Sequence, residues 1–403
     1  MRDVRSPAAT APFATHAVPP ARHRGPQRAR DVLYALPDDD WAAPRALSQR
    51  YGDVRDRLAF LLVRPETVRQ GLTPDVLRRT ALAGFTPLDA AVVEPHPRLV
   101  EELYRLTQVR LADAGARPMW WYMPTYYRLG PAVVVLLTTE QREVTAAERL
   151  IAVKGPSNPA LTRPGEIRHE CGAQNMMMCA VHSSDDTGTM LREACLFFGA
   201  ERVTAALERT RAEDDRCHGA GTGEVRGADG PRSGLSAPDI EALLGGHGLP
   251  SRPCRLPNFH QALAALQRSV LESARVTADP ELAPHAAALA ARLRGRTADA
   301  LAHPDYGTRT RALRAVWRDH GAELLGRVAG CPELEPAFLH WSAPLTGTGS
   351  AYADLVLTGL RERGHVVDQW AATVLETGWA FHDAIDAASD TEGHSGAEGD
   401  AHG

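Results

Sequence analysis

Residue types that could carry chemistry are concentrated around His182. An apolar run at 176–181 precedes this histidine, Ser184 and Asp185 follow it, and Glu193 lies further along the chain. An imidazole is a nucleophile and a leaving group near neutral pH, and the end of an apolar strand would fix it in place. A single histidine among 16 is most often structural, so chemistry at His182 depends on the sequence around it.

That surrounding sequence contains several short motifs in one collinear order. They read RPETVRQGL from Arg64, RP from Arg117, GP from Gly130, GPSNP from Gly155, PGEIR from Pro164, VHSSD from Val181 and LFF from Leu196. Together with Glu193, this set resembles the signature of the nucleoside diphosphate kinase family over residues 57–205. In that family the corresponding letters include KPDGVxRGL, GxTNP, PGTIR and IHGSD.

The resemblance implies a ferredoxin-like antiparallel sheet and a phosphotransferase that moves the terminal phosphoryl group of ATP to a nucleoside diphosphate. His182 would carry that group, Glu193 would hold the other ring nitrogen, and Ser184 would be a neighbouring hydroxyl. Arg168 and Ser157 match the family's phosphate-binding arginine and threonine. Phosphoryl transfer depends on positioning and charge neutralisation, which cationic and hydroxyl groups supply.

At several positions the chain departs from the family pattern. Arg64 stands where the family has its active-site lysine, and a planar guanidinium is not equivalent to a compact ammonium. Cys179 stands where the family has an asparagine that contacts the sugar. Met119 and Met123 replace the two side chains that contact the base, and both still offer apolar contact.

A second phosphate-binding arginine of the family has two possible equivalents here. They are Arg149 and Lys154, the latter being the only lysine in the chain. Mg²⁺ would arrive with the nucleotide, through water to Asp185, and not in a protein cage.

Two functions therefore remain open from the sequence. The first is phosphoryl transfer through a phosphohistidine at His182, and the second is a catalytically weak or inactive nucleotide-binding or scaffold protein. The net charge of −5 and the lack of a basic stripe argue against nucleic-acid binding. The family usually assembles into tetramers or hexamers, so nucleotides and further copies of the chain are the expected partners.

With 403 residues, the chain is long enough for two folded units and tails. The predicted divisions are a disordered leader and short arm at 1–56, the kinase-like domain at 57–205, a linker at 206–235, a helical domain at 236–387 and a disordered tail at 388–403. A transit peptide is the alternative for the leader. The six cysteines form no C-x-x-C pair and no apolar run is long enough to cross a bilayer, so a cytoplasmic protein without membrane contact is expected.

The fold class predicted from the patterns is α+β, with an antiparallel sheet domain followed by an all-α domain. Alternating and continuous apolar runs predict strands at 58–63, 85–93, 132–137 and 175–181, and a spacing of 3.6 predicts helices between them. Beyond residue 236 the pattern is helical, at 238–244, 258–274, 284–301, 308–328, 351–363 and 368–388. Aromatic residues at helical spacing there, including Trp317, Trp341, Trp370 and Trp379, are expected to be core.

Overall fold

A computed structural model describes residues 41–113, 122–219, 234–250, 254–259 and 367–395, together with isolated positions between 261 and 364. The elements that it delimits are, in chain order, helix α1 (Ala42–Arg50), strand β1 (Leu58–Val63), helices α2 (Pro65–Arg69) and α3 (Thr73–Leu82), strand β2 (Phe85–Val93), helices α4 (Pro97–Asp113) and α5 (Met123–Tyr127), strand β3 (Ala132–Thr139), helices α6 (Ala146–Lys154) and α7 (Ile167–Glu170), strand β4 (Val181–Ser183), and helices α8 (Thr187–Gly219), α9 (Ala237–Gly246) and α10 (Gln369–Ser395). None of these helices is long and apolar enough to cross a membrane.

The sheet has four strands in the order β2-β3-β1-β4, and all neighbouring strands are antiparallel. Every residue of β1 and β3 is buried, which explains why both strands read as continuous apolar runs and not as alternating ones. This is the predicted ferredoxin-like antiparallel arrangement, and the α+β fold class is confirmed.

Helices cover both faces of the sheet. On one face, which we call the α8 face, Leu58, Phe60 and Leu62 of β1 pack with residues of α1, α4, α5, α8 and α10. On the other, the α3 face, Ala59 and Leu61 pack with residues of α3, α6 and α9. Because the side chains of a strand alternate, β1 supplies both cores.

The fourth strand differs from its prediction. The sequence predicted a strand over 175–181, whereas β4 comprises Val181–Ser183 alone. The Asn175 side chain accepts hydrogen bonds from the backbone of Met177 and Met178, and Ala180 has a φ of 67°, so the segment bends before it can join the sheet. The apolar residues 177–180 are buried although they lie in a loop. A short apolar run by itself does not show whether a buried segment is a strand or a loop.

Helix α8 continues through the first part of the predicted linker. Gly199, with a φ of 75°, interrupts the helix, and the second part then runs to Gly219. Val203 and Leu207 on this part belong to the same core as Tyr51 at the end of α1. The predicted linker begins at residue 206, whereas residues 206–219 belong to this helix, and polar residues there pair with the N-terminal arm: the hydroxyl of Tyr51 donates to Glu208 at 2.9 Å.

Beyond residue 234, the delimited elements α9 and α10 are helices, close to the predicted ranges 238–244 and 368–388. Helix α10 extends to Ser395, beyond residue 388, where the predicted tail begins. The described positions within the predicted helices 258–274, 284–301, 308–328 and 351–363 are helical apart from Asn258; the other residues of these ranges, with Trp317 and Trp341, lie outside the described part of the chain.

Both of these helices pack on the sheet domain. The backbone N–H of Leu235, just before α9, donates to the carbonyl of Pro87 on the edge strand β2 at 2.7 Å. Ile240 and Leu244 of α9 join the core of the α3 face. Trp379 of α10 joins the core of the α8 face, as expected for an aromatic at helical spacing.

Gly378 on α10 provides a test of this packing. A Cβ at this position would overlap the Phe259 ring, which stacks edge-on against Trp379 at 5.6 Å between ring centroids. We expect Gly378→Ala to lower the free energy of unfolding by about 1–3 kcal/mol, the usual cost of overpacking, measured by urea denaturation. Gly245→Ala in α9 is the matched control, because nothing lies within 4 Å of a Cβ there. Equal effects of the two substitutions would contradict the packing described.

Candidate functional site

Strand β4 places His182 at the edge of the sheet. His182 pairs with Leu62 of β1, and its neighbour Val181 packs in the core of the α3 face. The imidazole therefore points to the opposite, α8 face, where Tyr104 of α4 lies edge-on to it at 5.1 Å between ring centroids. Its side chain is 12% exposed, so the ring is enclosed but not sealed.

A carboxylate orients this ring. Nε2 of His182 lies 2.8 Å from Oε2 of Glu193, and the Ser184 hydroxyl donates to the same oxygen at 2.5 Å. Because an ionised carboxylate can only accept, Nε2 carries the proton and Nδ1 carries the lone pair. The pair is buried, with Glu193 4% exposed, so this hydrogen bond fixes both the tautomer and the ring orientation.

Burial lowers the pKa of His182 below its usual value of 6.5. Glu193 opposes this effect, since its negative charge and hydrogen bond favour the imidazolium, while the positive charges of Lys154 and Arg64 add to the lowering. At neutral pH the ring is therefore neutral, as a nucleophilic imidazole must be.

Three buried cationic side chains surround the segment that carries His182. The Arg168 guanidinium donates to the carbonyls of Cys179, Gly155 and Val181 at 3.1, 2.8 and 2.9 Å. The Lys154 ammonium donates to the carbonyl and hydroxyl of Ser183 at 3.0 and 2.7 Å. Burial is the main cause that lowers the pKa of Lys154 to about 8.

Arg64 is the third of these cations. Its guanidinium donates to the carbonyl of Met177 and lies 5.5 Å from the ring centroid of Tyr104. Its Nε is buried and makes no hydrogen bond. Arg64, which stands where the family has a lysine, thus contacts the segment that leads to His182.

Not every predicted site residue is brought to the imidazole. Arg149 donates from Nε and Nη2 to the carbonyl of Ala83 at 3.0 Å, just after α3. Of the two candidates for the second phosphate-binding cation, only Lys154 contacts β4, at Ser183, the residue after His182. Ser157 is exposed in the loop after α6. Met123 is 1% exposed in the core of the α8 face, so it is not available to a base at the surface, and Met119 lies outside the described residues.

Cys179 is also buried. Its thiol lies 4.0 Å from the carbonyl of Val181, and its own carbonyl accepts from Arg168. The role foreseen for this position was contact with the sugar, and a fully buried thiol does not offer it in this conformation.

Three residues that hold the site in place were missed by sequence reasoning. They are Tyr104, Glu66 and Asn175. Glu66 is buried, accepts from the backbone N–H of Ala180 at 2.9 Å and receives the Tyr126 hydroxyl. Burial raises the pKa of Glu66, although Arg64 opposes the shift. The available signal was the position of Glu66 inside the RPETVRQGL motif, directly after a buried strand.

Metal ligands are not grouped in this region. Among the described residues, no cluster of three His, Cys, Asp or Glu side chains could hold a metal ion. Asp185 is exposed beside Lys154, where its charge raises the pKa of that ammonium. An exposed carboxylate suits a water-mediated contact with Mg²⁺ that is carried on nucleotide phosphates.

Comparison with known proteins decides the family. The model of the nucleoside diphosphate kinase family matches residues 58–203. Over 139 residues the chain is 30% identical to a nucleoside diphosphate kinase of Trichormus variabilis, an alignment that covers 34% of this chain and 85% of that protein. The chain belongs to the nucleoside diphosphate kinase family.

Two other members of the family show similar or lower sequence identity and similar coverage of this chain. The cytosolic nucleoside diphosphate kinase of Dictyostelium discoideum is 29% identical over 155 residues, which cover 38% of this chain and 92% of that protein. Among solved structures, the nucleoside diphosphate kinase of Aquifex aeolicus is 21% identical with a TM-score of 0.31, and the match covers 35% of this chain and 94% of that one. The family domain, at residues 58–203, thus lies within the first half of the chain, and α9 and α10 lie beyond it.

The charge of Glu193 can be tested through the titration of His182. We expect the imidazole resonances of His182, followed by NMR, to titrate below pH 6.5 in the native protein, because burial lowers the pKa of the ring. In Glu193→Gln the midpoint should move lower still, since the charge that favours the imidazolium is lost. Glu170→Gln, which removes a carboxylate bound to Arg79, is the control and should leave the His182 midpoint unchanged. A rise of the midpoint in Glu193→Gln would contradict this electrostatic account.

Proposed function

We propose that the domain at residues 58–203 transfers the terminal phosphoryl group of a nucleoside triphosphate to a nucleoside diphosphate through a phosphohistidine at Nδ1 of His182. The observation that carries the proposal is the hydrogen bond from Nε2 of His182 to Glu193, with Ser184 on the same carboxylate oxygen. Membership of the family supports the reaction class.

The chemistry follows from that tautomer. The Nδ1 lone pair forms a bond to the γ-phosphorus while the bond from that phosphorus to the β-γ bridging oxygen breaks, and the nucleoside diphosphate leaves. Glu193 stabilises the positive charge that develops on the ring. A second diphosphate then attacks the phosphohistidine with a terminal oxygen, which restores the neutral imidazole.

Buried cations supply the field for this transfer. Lys154 and Arg168 lie against the segment that carries His182, where each donates to a backbone carbonyl of β4. The positive charge of Lys154 also lowers the pKa of His182, so it acts on the ring that would receive the phosphoryl group. Mg²⁺ belongs to the substrate in this scheme, because it neutralises the nucleotide phosphates before they arrive.

A catalytically inactive nucleotide-binding protein is the second candidate. It is favoured by the bonding of Arg168, whose three guanidinium nitrogens all donate to backbone carbonyls, and by the burial of Met123 and Cys179. In that case nucleotide would bind without formation of a phosphohistidine.

Labelling with γ-³²P ATP and Mg²⁺ distinguishes these two functions. We expect acid-labile label on the native protein that is chased onto added nucleoside diphosphates, and no label on His182→Ala because the nucleophile is absent. His169→Ala, which removes another histidine of the same domain, is the matched control and should still be labelled. Nucleotide binding without label on the native protein would support the inactive alternative.

The identity of the second phosphate-binding cation gives a further prediction. We expect Lys154→Met to lower kcat/KM by about 100-fold, since the buried cation that is bonded to Ser183 and acts on His182 is lost. Arg149→Met should stay close to the native value, because Arg149 contacts Ala83 and not this site.

The pH dependence provides an independent check. In the native protein kcat/KM should fall above about pH 8, as the Lys154 ammonium, with its pKa lowered to about 8, loses its charge. Lys154→Met should lack this limb of the profile. A larger loss of activity in Arg149→Met than in Lys154→Met would show that the assignment is wrong.

A further inference from the structure

The segment that leads to His182 is held by one amide side chain. Oδ1 of Asn175 accepts from the backbone N–H groups of Met177 and Met178 at 2.9 and 2.8 Å. Asn175 is 1% exposed, so these bonds have no competition from water. They fix the bend from which the chain passes through Ala180 into β4.

The other end of the same amide contacts the C-terminal helix α10. Nδ2 of Asn175 donates to Oγ1 of Thr377 at 2.9 Å, and the Thr377 hydroxyl donates to the carbonyl of Thr373 at 2.7 Å. The proton of the threonine hydroxyl is therefore used within the helix, and its lone pair faces Asn175. One side chain thus joins α10 to the segment before the catalytic histidine.

Further contacts connect α10 and its neighbours to the site. The Tyr122 hydroxyl donates to Oγ1 of Thr373 at 3.1 Å. Gln174 donates from its side chain to the carbonyl of Pro257 at 3.2 Å. Helix α10 also packs on the 3-10 turn Pro159–Leu161, which directly follows the loop that contains Ser157.

Helix α10 is built as a fixed element. All eight residues from 372 to 379 are buried, which means that more than two turns are enclosed on every side. A lid that opens during turnover would keep one face exposed or weakly packed. The contacts to Asn175 therefore belong to the resting architecture of the site.

The hydrogen bonds of Asn175 are connected to His182 through only a few residues of the chain. They hold Met177, whose carbonyl accepts from Arg64, and Met178, whose carbonyl accepts from the backbone N–H of Gln174 at 2.8 Å. Release of this bend would move both Arg64 and the strand that carries His182. Displacements of about 1 Å are enough to slow an aligned transfer by about 100-fold.

We propose that α10 is an integral part of the phosphotransfer site and that Thr377, acting through Asn175, is a positioning residue for His182. The inference rests on the proposed function, and it assigns to the region beyond the family domain a role in catalysis. The site of the family domain is then completed by a helix that lies outside residues 58–203.

Thr377→Val in the full chain is the direct test, because it keeps the shape of the side chain and removes the acceptor for Asn175. We expect the rate of His182 phosphorylation, measured by rapid quench at saturating ATP, to fall about 10- to 100-fold. The dissociation constant for ATP should change little, since Thr377 is buried and its hydroxyl is bonded to Asn175 and Thr373. Thr377→Ser, which retains the hydroxyl, should restore the native rate.

Thr210→Val is the matched control. Thr210 is equally buried in α8, and its hydroxyl makes the same kind of bond, to the carbonyl of Ala206 at 2.9 Å, with no link from that hydroxyl to the segment before His182. Any loss of stability should be similar in the two valine variants, whereas the loss of rate should be confined to Thr377→Val. If Thr377→Val does not fold, Thr377→Ala and Thr210→Ala carry the same comparison.

The outcomes separate this inference from the proposed function. Absence of label on the native protein would overturn the proposed function itself. Native labelling together with a native rate in Thr377→Val would overturn the positioning role alone. A faster rate in Thr377→Val would also overturn it, because α10 would then restrain the site and not support it.

Discussion

The pairing of β4 with β1 is the constraint on which the candidate site depends. Strand β4 has three residues, and the residue at its centre is His182, opposite Leu62. Because the strand is so short, it makes few backbone hydrogen bonds to β1. Side chains from outside the sheet must therefore hold the chain before and after it. Glu66 does so before the strand through the N–H of Ala180, and Lys154 does so at its last residue, Ser183. The position of the imidazole is therefore decided by buried charges as much as by the sheet.

Those buried charges also explain the chemistry of the ring. Arg64, Arg168 and Lys154 are each less than a tenth exposed, and each donates to backbone or hydroxyl oxygens of the segment around His182. Burial in a low dielectric lowers the pKa of His182, the positive charges of Lys154 and Arg64 add to that lowering, and Glu193 fixes the tautomer of the ring. The same groups that stabilise the segment thus keep the imidazole neutral. Structure and reactivity have a common electrostatic cause.

Much of this could be predicted from the sequence. Strands β1 and β2 have the predicted bounds, because continuous or alternating apolar runs ended by proline or turn residues are strong local signals. The collinear motifs predicted the family, and the structure brings Glu193, Ser184 and Arg168 to the segment around His182. The fourth strand was misplaced because the local pattern could not show that Asn175 bends the chain. The sequence left Arg149 and Lys154 as alternatives, because spacing along a helix does not say which neighbour a side chain meets, and only Lys154 reaches β4.

By itself, the sequence determined the family, the order of strands and helices along the chain, and the residue that is the candidate nucleophile. These follow from residue types at fixed local spacing. What only the tertiary structure decided was the set of contacts between residues far apart in the chain. The bond between Asn175 and Thr377 joins the family domain to a helix near the C-terminus, and the bond from Tyr122 to Thr373 does the same. Such contacts depend on how whole elements pack, and packing is set by the sum of many weak interactions that no local pattern encodes.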